Sequence, residues 1–381
     1  MNGLKLPLLG CHSNECLVCR LLIVIFFVFA IFFIGWLMLL GWPVAAEKDA
    51  GDTLLNEEIN KAFPTWQPVA AEVTHKSVTR IGEKTFDSIH QAGLALKDGE
   101  TLELGEGIYT EPLVVLASNV QVRGMGHVVI EKVAWKGKAA IIVNGDNVHL
   151  SNIECRFIEV PDENGACIRQ QGKNLSVSHM YIHDSEQGLL AGKSSGKTRI
   201  IDSRFEKLGK NGKAHGIYVG GGELELLESL VIASKDGGHE IKSRASLTVI
   251  RDSILGSFSA DDSRLVDIAN GGVLVIENSV MQKGGHSKNR EMIGYGLEGV
   301  RYTKNSVSLK NNIFIVDREG SNQLIRSQVN PLHVLVEENS YVSEKMPSDI
   351  SESKNKIFSS RKSAGLPVYP LLPKHNNIRV N

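Results

Sequence analysis

Leu247-Thr248-Val249-Ile250-Arg251-Asp252-Ser253-Ile254 sets the pattern of this chain. Alternating apolar and β-branched residues run into an acidic or amide residue, then a small polar one, then another apolar residue. The same order returns at Ile201-Asp202-Ser203, Leu227-Glu228-Ser229-Leu230, Asn278-Ser279-Val280, Asn311-Asn312-Ile313 and Asn339-Ser340-Tyr341, with weaker versions at Asn152-Ile153 and His179-Met180. The interval is roughly twenty-odd residues, the length of one solenoid coil, and it lengthens where loops are inserted. Alternation and β-branching favour strand over helix. A repeat of this size cannot bury its apolar side alone and must stack on its neighbours.

A second strand per repeat reads as Gly216-Ile217-Tyr218-Val219, Glu240-Ile241-Lys242, Leu265-Val266-Asp267-Ile268, Met292-Ile293-Gly294-Tyr295 and Leu324-Ile325-Arg326. No apolar stripe between strands is long enough for a crossover helix. Parallel strands joined by short turns coil right-handedly. The expectation is an all-β fold, a single-stranded right-handed parallel β-helix of about eight or nine coils. A propeller would need a period of about 40 or more, and the Leu/Asn signature of leucine-rich repeats is absent. Upstream, Phe86, Ile89, Ala92 and Leu96 share one helical face, which suits an N-terminal capping helix over the first coil.

The chain divides accordingly. Residues 1–20 form a short N-terminal segment, and 21–42 an apolar run with five Phe and no charge, long enough to span a bilayer. Residues 47–80 read as a stalk, 81–342 as the β-helix and 343–381 as a polar tail. Lys5 and Arg20 precede the run while Glu47, Asp49 and Asp52 follow it. That bias predicts a single-pass anchor in the inner membrane, with the β-helix on the periplasmic, extracytoplasmic side. A cleaved signal peptide ending near Val44-Ala45-Ala46 is the competing reading. Cys11, Cys16 and Cys19 lack a zinc-like spacing and read as juxtamembrane thiols. Cys155 and Cys167 are either one disulfide or two buried thiols. The net charge of −1 argues against a nucleic-acid binder.

Neighbours on a strand point to opposite faces. If Ile217, Ile241, Val266, Ile293 and Ile325 point inward, then Tyr218, Lys242, Asp267, Gly294 and Arg326 form one outward column, with coils about 4.8 Å apart. Glu240 is expected on the same ribbon. The preceding turns add His215, His239, Asp261, Asp262, Arg264, His286, Arg290 and Glu291, and Arg244 and Tyr295 stand at the strand exits. The candidate catalytic set is His215, His239, Lys242, Arg244 and Asp267, and Tyr218, Glu240, Asp261, Asp262, Arg264, His286, Arg290, Glu291 and Tyr295 are candidate substrate contacts. On a uronate polymer, Arg244, Lys242 or Arg264 would neutralise the carboxylate, and a His, Tyr or Lys would take the acidified C5 proton. Hydrolysis by a carboxylate pair drawn from Asp261, Asp262 and Asp267 is the alternative chemistry. The plain reading is surface pairing, as of Lys242 between Glu240 and Asp267, which often contributes little. No cofactor is expected, and a divalent metal is left open.

The same residues carry a resemblance. Asp98-Gly99-Glu100-Thr101-Leu102-Glu103-Leu104 with Gly107-Ile108-Tyr109-Thr110-Glu111 resembles the opening coil of the pectate-lyase-like superfamily. His215-Gly216-Ile217-Tyr218-Val219-Gly220, Gly238-His239-Glu240-Ile241-Lys242-Ser243-Arg244-Ala245, Asp267-Ile268-Ala269-Asn270-Gly271-Gly272 and the stretch from Asn289 to Gly299 are similar to bacterial right-handed β-helix repeat proteins of that superfamily. The resemblance implies the fold, and a carbohydrate as the substrate class by analogy of fold. The Asp-Pro-His-Asp block of mannuronan epimerases, the paired Asp of polygalacturonases and the acidic calcium cage of pectate lyases are not found. The expected function is action on an anionic polysaccharide by a lyase or C5-epimerase type of proton abstraction. A non-catalytic glycan-binding or scaffold protein, with envelope or export components as partners, is the rival.

Overall fold

A computed structural model describes residues 51–70, 78–344 and 354–373. The solenoid lies within the compact unit Leu55–Asn381. The expected cytoplasmic segment and membrane run fall outside the described residues. Among the described residues no helix is long and apolar enough to cross a membrane.

The solenoid is a parallel β-helix of about nine coils. Each coil contributes one strand to each of three sheets, here called faces A, B and C. One coil reads Leu247–Arg251 on face A, Ile254–Gly256 on face B and Val266–Ile268 on face C. The sequence signalled two strands per coil. The third, on face B, is often only three residues long, too short for alternation to register.

Inward columns are apolar and continuous. Leu150, Val177, Ile200, Leu226, Ile250, Ile276 and Leu309 align on face A. Ile217, Ile241, Val266 and Ile293 align on face C, and each is fully buried. Cys155 and Cys167 form a disulfide.

The recurrent Asp/Asn-Ser pair makes the turn from face A to face B. Its first residue takes the left-handed conformation in coil after coil, with φ of 44° at Asp202, 48° at Asp252, 52° at Asn278 and 53° at Asn311. Asn and Asp tolerate that region better than other side chains. The next N–H then points along the solenoid axis with no strand to bond. Ser229 N–H donates to Ser253 Oγ (3.2 Å), Ser253 N–H to Ser279 Oγ (3.2 Å), Ser279 N–H to Asn312 Oδ1 (2.9 Å), and Asn312 N–H to Asn339 Oδ1 (2.9 Å). Each Ser hydroxyl in turn donates to the carbonyl two residues before it, as Ser253 does to Arg251 at 2.7 Å.

The ends and one flank are covered. The expected cap forms at Ile89–Ala95, with Ser88 accepting from the Gln91 N–H and Ile89 and Ala92 fully buried. A hairpin of Thr79–Ile81 and Lys84–Phe86 pairs antiparallel onto the first face-A strand. Residues 55–70, expected to be stalk, lie on face B. Leu55, Ile59 and Phe63 pack on Leu230, Ile232, Ile254, Phe258 and Val280. Beyond them Trp66 sits over Tyr181 and His179, and His179 Nε2 bonds the Gln67 carbonyl. In the tail, Lys356–Phe358 adds a further strand to face B.

Removing one rung of the turn ladder tests its contribution. Ser253→Ala leaves the Ser229 N–H without its partner, while the Arg251 carbonyl keeps the Glu228 N–H (3.1 Å). It should cost about 1–3 kcal/mol, read as a lowered urea midpoint with an unchanged circular-dichroism spectrum.

Candidate functional site

The outward column on face C has the register Ile142, Arg169, Leu190, Tyr218, Lys242, Asp267, Gly294, Arg326. Tyr218, Lys242 and Asp267 thus stand on three successive rungs.

Asp267 is the centre of the charged part. It is 2% exposed. Its Oδ2 lies 3.5 Å from Lys242 Nζ and 3.8 Å from His239 Nε2, and its Oδ1 lies 3.7 Å from Arg264 Nη1. None of these is a hydrogen-bond distance to Oδ1, and that oxygen accepts no hydrogen bond among the described residues. Burial pushes the Asp267 carboxyl up from its ordinary value, against the pull of Lys242 and Arg264.

His215 and His239 are neutral, and their tautomer is fixed. Their rings stack at 4.9 Å, and His215 also lies parallel to Tyr218. The His239 backbone N–H donates to His215 Nδ1 (3.1 Å), and the Arg264 backbone N–H donates to His239 Nδ1 (3.0 Å). A backbone N–H on Nδ1 requires a lone pair there, so each neutral ring carries its proton on Nε2. Burial, reinforced by Lys242, pushes His215 down to about 3 and His239 well below its ordinary value. The His239 Nε2–H is the ring donor nearest Asp267, at 3.8 Å. The Nδ1 of each ring, its basic nitrogen in this tautomer, already accepts a backbone hydrogen bond.

Arg244 forms the second half of the site. Its Nε donates to Tyr218 Oη (2.7 Å) and its Nη1 to Asn270 Oδ1 (2.6 Å). Lys242 and Arg244 both ion-pair with one carboxylate, that of Glu298. Against its own desolvation, Lys242 and Arg244 hold Glu298 below the usual carboxylate range. Arg264, Arg290 and Arg326 surround the buried Glu291 at 3.7, 3.6 and 3.3 Å. Beside Arg244 opens a cleft of about 750 Å³, lined by Arg169, Lys193, Tyr218, Arg301 and Glu298 among others. Arg169, Lys193 and Arg301 make no ion pair among the described residues, so the cleft is cationic.

Five expected contacts lie elsewhere. Glu240 and Asp262 are fully buried, with Lys283, rather than on the ribbon. Burial and the neighbouring Asp262 push Glu240 up, and burial pushes Asp262 up as well. Glu240 precedes its strand, where strict alternation does not hold, so it folds into the corner between faces B and C. Tyr295 points into the lumen and donates its hydroxyl to the Gly272 carbonyl. His286 bonds the Ser259 carbonyl at 2.9 Å and none of the column residues. Asp261 stays near the surface, paired with Lys288 at 2.9 Å.

Glu298 and Asn270 were not assigned a role from the sequence. The available signal was loop length: ten residues separate Tyr295 from Ser306, against three between Ser243 and Leu247. The longer loop folds back over two coils. Among the described residues, no group of three or more His, Cys, Asp or Glu is placed to hold a metal ion.

No family model matches the chain, and no curated protein matches its sequence. Solved structures do resemble it. A pectin methylesterase in complex with a hexasaccharide aligns at 12% identity and a TM-score of 0.42, over 77% of this chain and 96% of that one. Pectin methylesterase PemA from Erwinia chrysanthemi aligns at 11% identity and a TM-score of 0.41, over 76% and 96%.

The histidine assignment has a measurable consequence. His215 unfolds to a pKa near 6.5 and folds to about 3, so the unfolded chain binds a proton first on acidification. The stability from a neutral His215 is complete above about pH 6.5 and is lost as pH falls toward about 3. Wild type should therefore lose stability more steeply than His215→Asn below about pH 6.5. Nitrogen NMR at neutral pH should show both rings as the Nε2–H tautomer. A charged ring, or an Nδ1–H tautomer, would contradict the assignment.

Proposed function

We propose that the protein acts on an anionic, uronate-containing polysaccharide laid across the coils of face C, as a lyase. The observation that carries this reading is a fork of two cations, Lys242 and Arg244, gripping a carboxylate one rung from the buried, under-bonded carboxylate of Asp267.

A uronate carboxylate in the fork would have its charge neutralised, which acidifies the C5 proton. Asp267 takes that proton, and the electron pair moves into the sugar carboxylate as an enediolate held by Lys242 and Arg244. Collapse forms the C4–C5 double bond and breaks the C4–O bond. Asp267 returns its proton to the departing oxygen, so one carboxyl serves as base and then acid. Its raised proton affinity suits both steps, and the His239 Nε2–H steadies the charged form. Epimerisation would need a second proton donor on the opposite sugar face, which makes elimination the simpler outcome. We place the β-helix outside the cytoplasmic membrane, held there by the 21–42 run, where an envelope or exported polysaccharide would be met.

A glycan-binding role without chemistry is the second reading. It is favoured by the enclosure of Asp267, which is 2% exposed and ringed by ion pairs. The full chain should release an unsaturated product, seen by its absorbance, from one member of a panel of uronate polymers. Asp267→Asn should lower the rate by about 10²-fold or more with oligosaccharide affinity retained. Binding without product or solvent deuterium at C5 leaves the binding module, and activity surviving Asp267→Asn displaces the proton acceptor from this residue.

A further inference from the structure

We infer that Glu298 is a built-in carboxylate gate: it occupies the Lys242–Arg244 fork in the resting protein and must turn out before a sugar carboxylate can enter. The inference rests on the reading of the fork as the uronate subsite and adds a regulation of it.

The loop that carries Glu298 is fixed at its backbone. Glu298 N–H donates to the Ala269 carbonyl (2.9 Å), and Arg301 N–H donates to that of Asn270 (2.9 Å). Asn270 Nδ2 donates to the carbonyls of Glu298 (3.1 Å) and Gly299 (2.9 Å), and Tyr302 Oη to that of Arg244 (2.7 Å). Gly299, at φ +91°, provides a turn that a side chain would strain. With the backbone held, the movable part is the Glu298 side chain, which is 40% exposed while Lys242 and Arg244 are 12% and 18% exposed. The partner facing solvent is therefore the one free to leave.

The fork stays organised when Glu298 leaves. Arg244 remains held by Tyr218 and Asn270, and Lys242 by Asp267. Two cations left, among the described residues, with Asp267 as their one nearby carboxylate, and Arg244 with no ion pair of its own, would attract another carboxylate. Only a ligand bearing one can replace what Glu298 supplied, so the gate selects acidic sugars against neutral ones. Apparent affinity is the intrinsic affinity reduced by the fraction of open gate.

Calorimetric titration of the full chain with size-matched oligogalacturonate, oligoguluronate, oligomannuronate and neutral oligoglucose tests this. Glu298→Gln and Glu298→Ala should each bind one acidic oligomer about tenfold tighter than wild type, with no gain for oligoglucose. Equal affinity in wild type and both variants, or weaker binding by the variants, overturns the gate and leaves the proposed function standing. No binding of any acidic oligomer by all three proteins removes the uronate subsite and the gate together.

Discussion

A line of buried hydrogen bonds at one corner of six successive coils is the constraint on which the rest depends. The chain must turn sharply after each face-A strand, and the turn leaves an inward N–H that no sheet can satisfy. Burying it unpaired would cost about 1–3 kcal/mol per coil. Ser203, Ser229, Ser253, Ser279, Asn312 and Asn339 remove that cost by taking the N–H of the coil before. The ladder also fixes the register, because each rung accepts from one particular neighbour. Face C inherits this register, and with it the alignment of Tyr218, Lys242 and Asp267.

Nothing in the solenoid requires charge at those positions. Earlier coils place Ile142 and Leu190 in the same outward column, where they pack with Val114 and Trp135. Desolvating ionic groups often costs more than their attraction returns, so apolar residues there would serve stability at least as well. Before Leu190 the column holds one charged residue, Arg169, and after it come buried charges, an under-bonded carboxylate and two histidines. Departures from what local stability favours tend to concentrate at functional sites.

The period and the alternation made the coil and the face-C column readable, because both depend on spacing alone. The Tyr218-Lys242-Asp267-Gly294-Arg326 register follows from counting along strands. What spacing does not carry is the behaviour of turns. Glu240 and Asp262 lie just before their strands, where backbone direction is not set by pleating, and both fold inward. Tyr295 ends its strand facing the lumen, because the parity that puts Gly294 outward puts it inward. The histidine tautomers depend on which backbone N–H meets Nδ1, a distance between coils that no single strand reveals. Glu298 sits in an insertion whose length was visible and whose path was not.

Faces B and C are covered in different ways, and the difference separates structure from site. The outward column of face B changes from Glu154, Tyr181 and Arg204 to Leu230, Ile254 and Val280. Its own N-terminal segment matches both parts. Trp66 and the backbone of 64–70 meet the polar rungs, and Leu55, Ile59 and Phe63 meet the apolar ones. His183 there lies between two carboxylates, Asp184 at 2.6 Å and Glu154 at 3.1 Å, so both ring nitrogens donate and the ring is held as a cation despite its burial. On face C the backbone bonds leave Nε2–H as the single donor of each histidine, beside a carboxylate with an oxygen to spare. The same residue type is thus fully used on one face and left with capacity on the other. On face C the Asp267 Oδ1 keeps hydrogen-bonding capacity for a molecule that is not part of the chain.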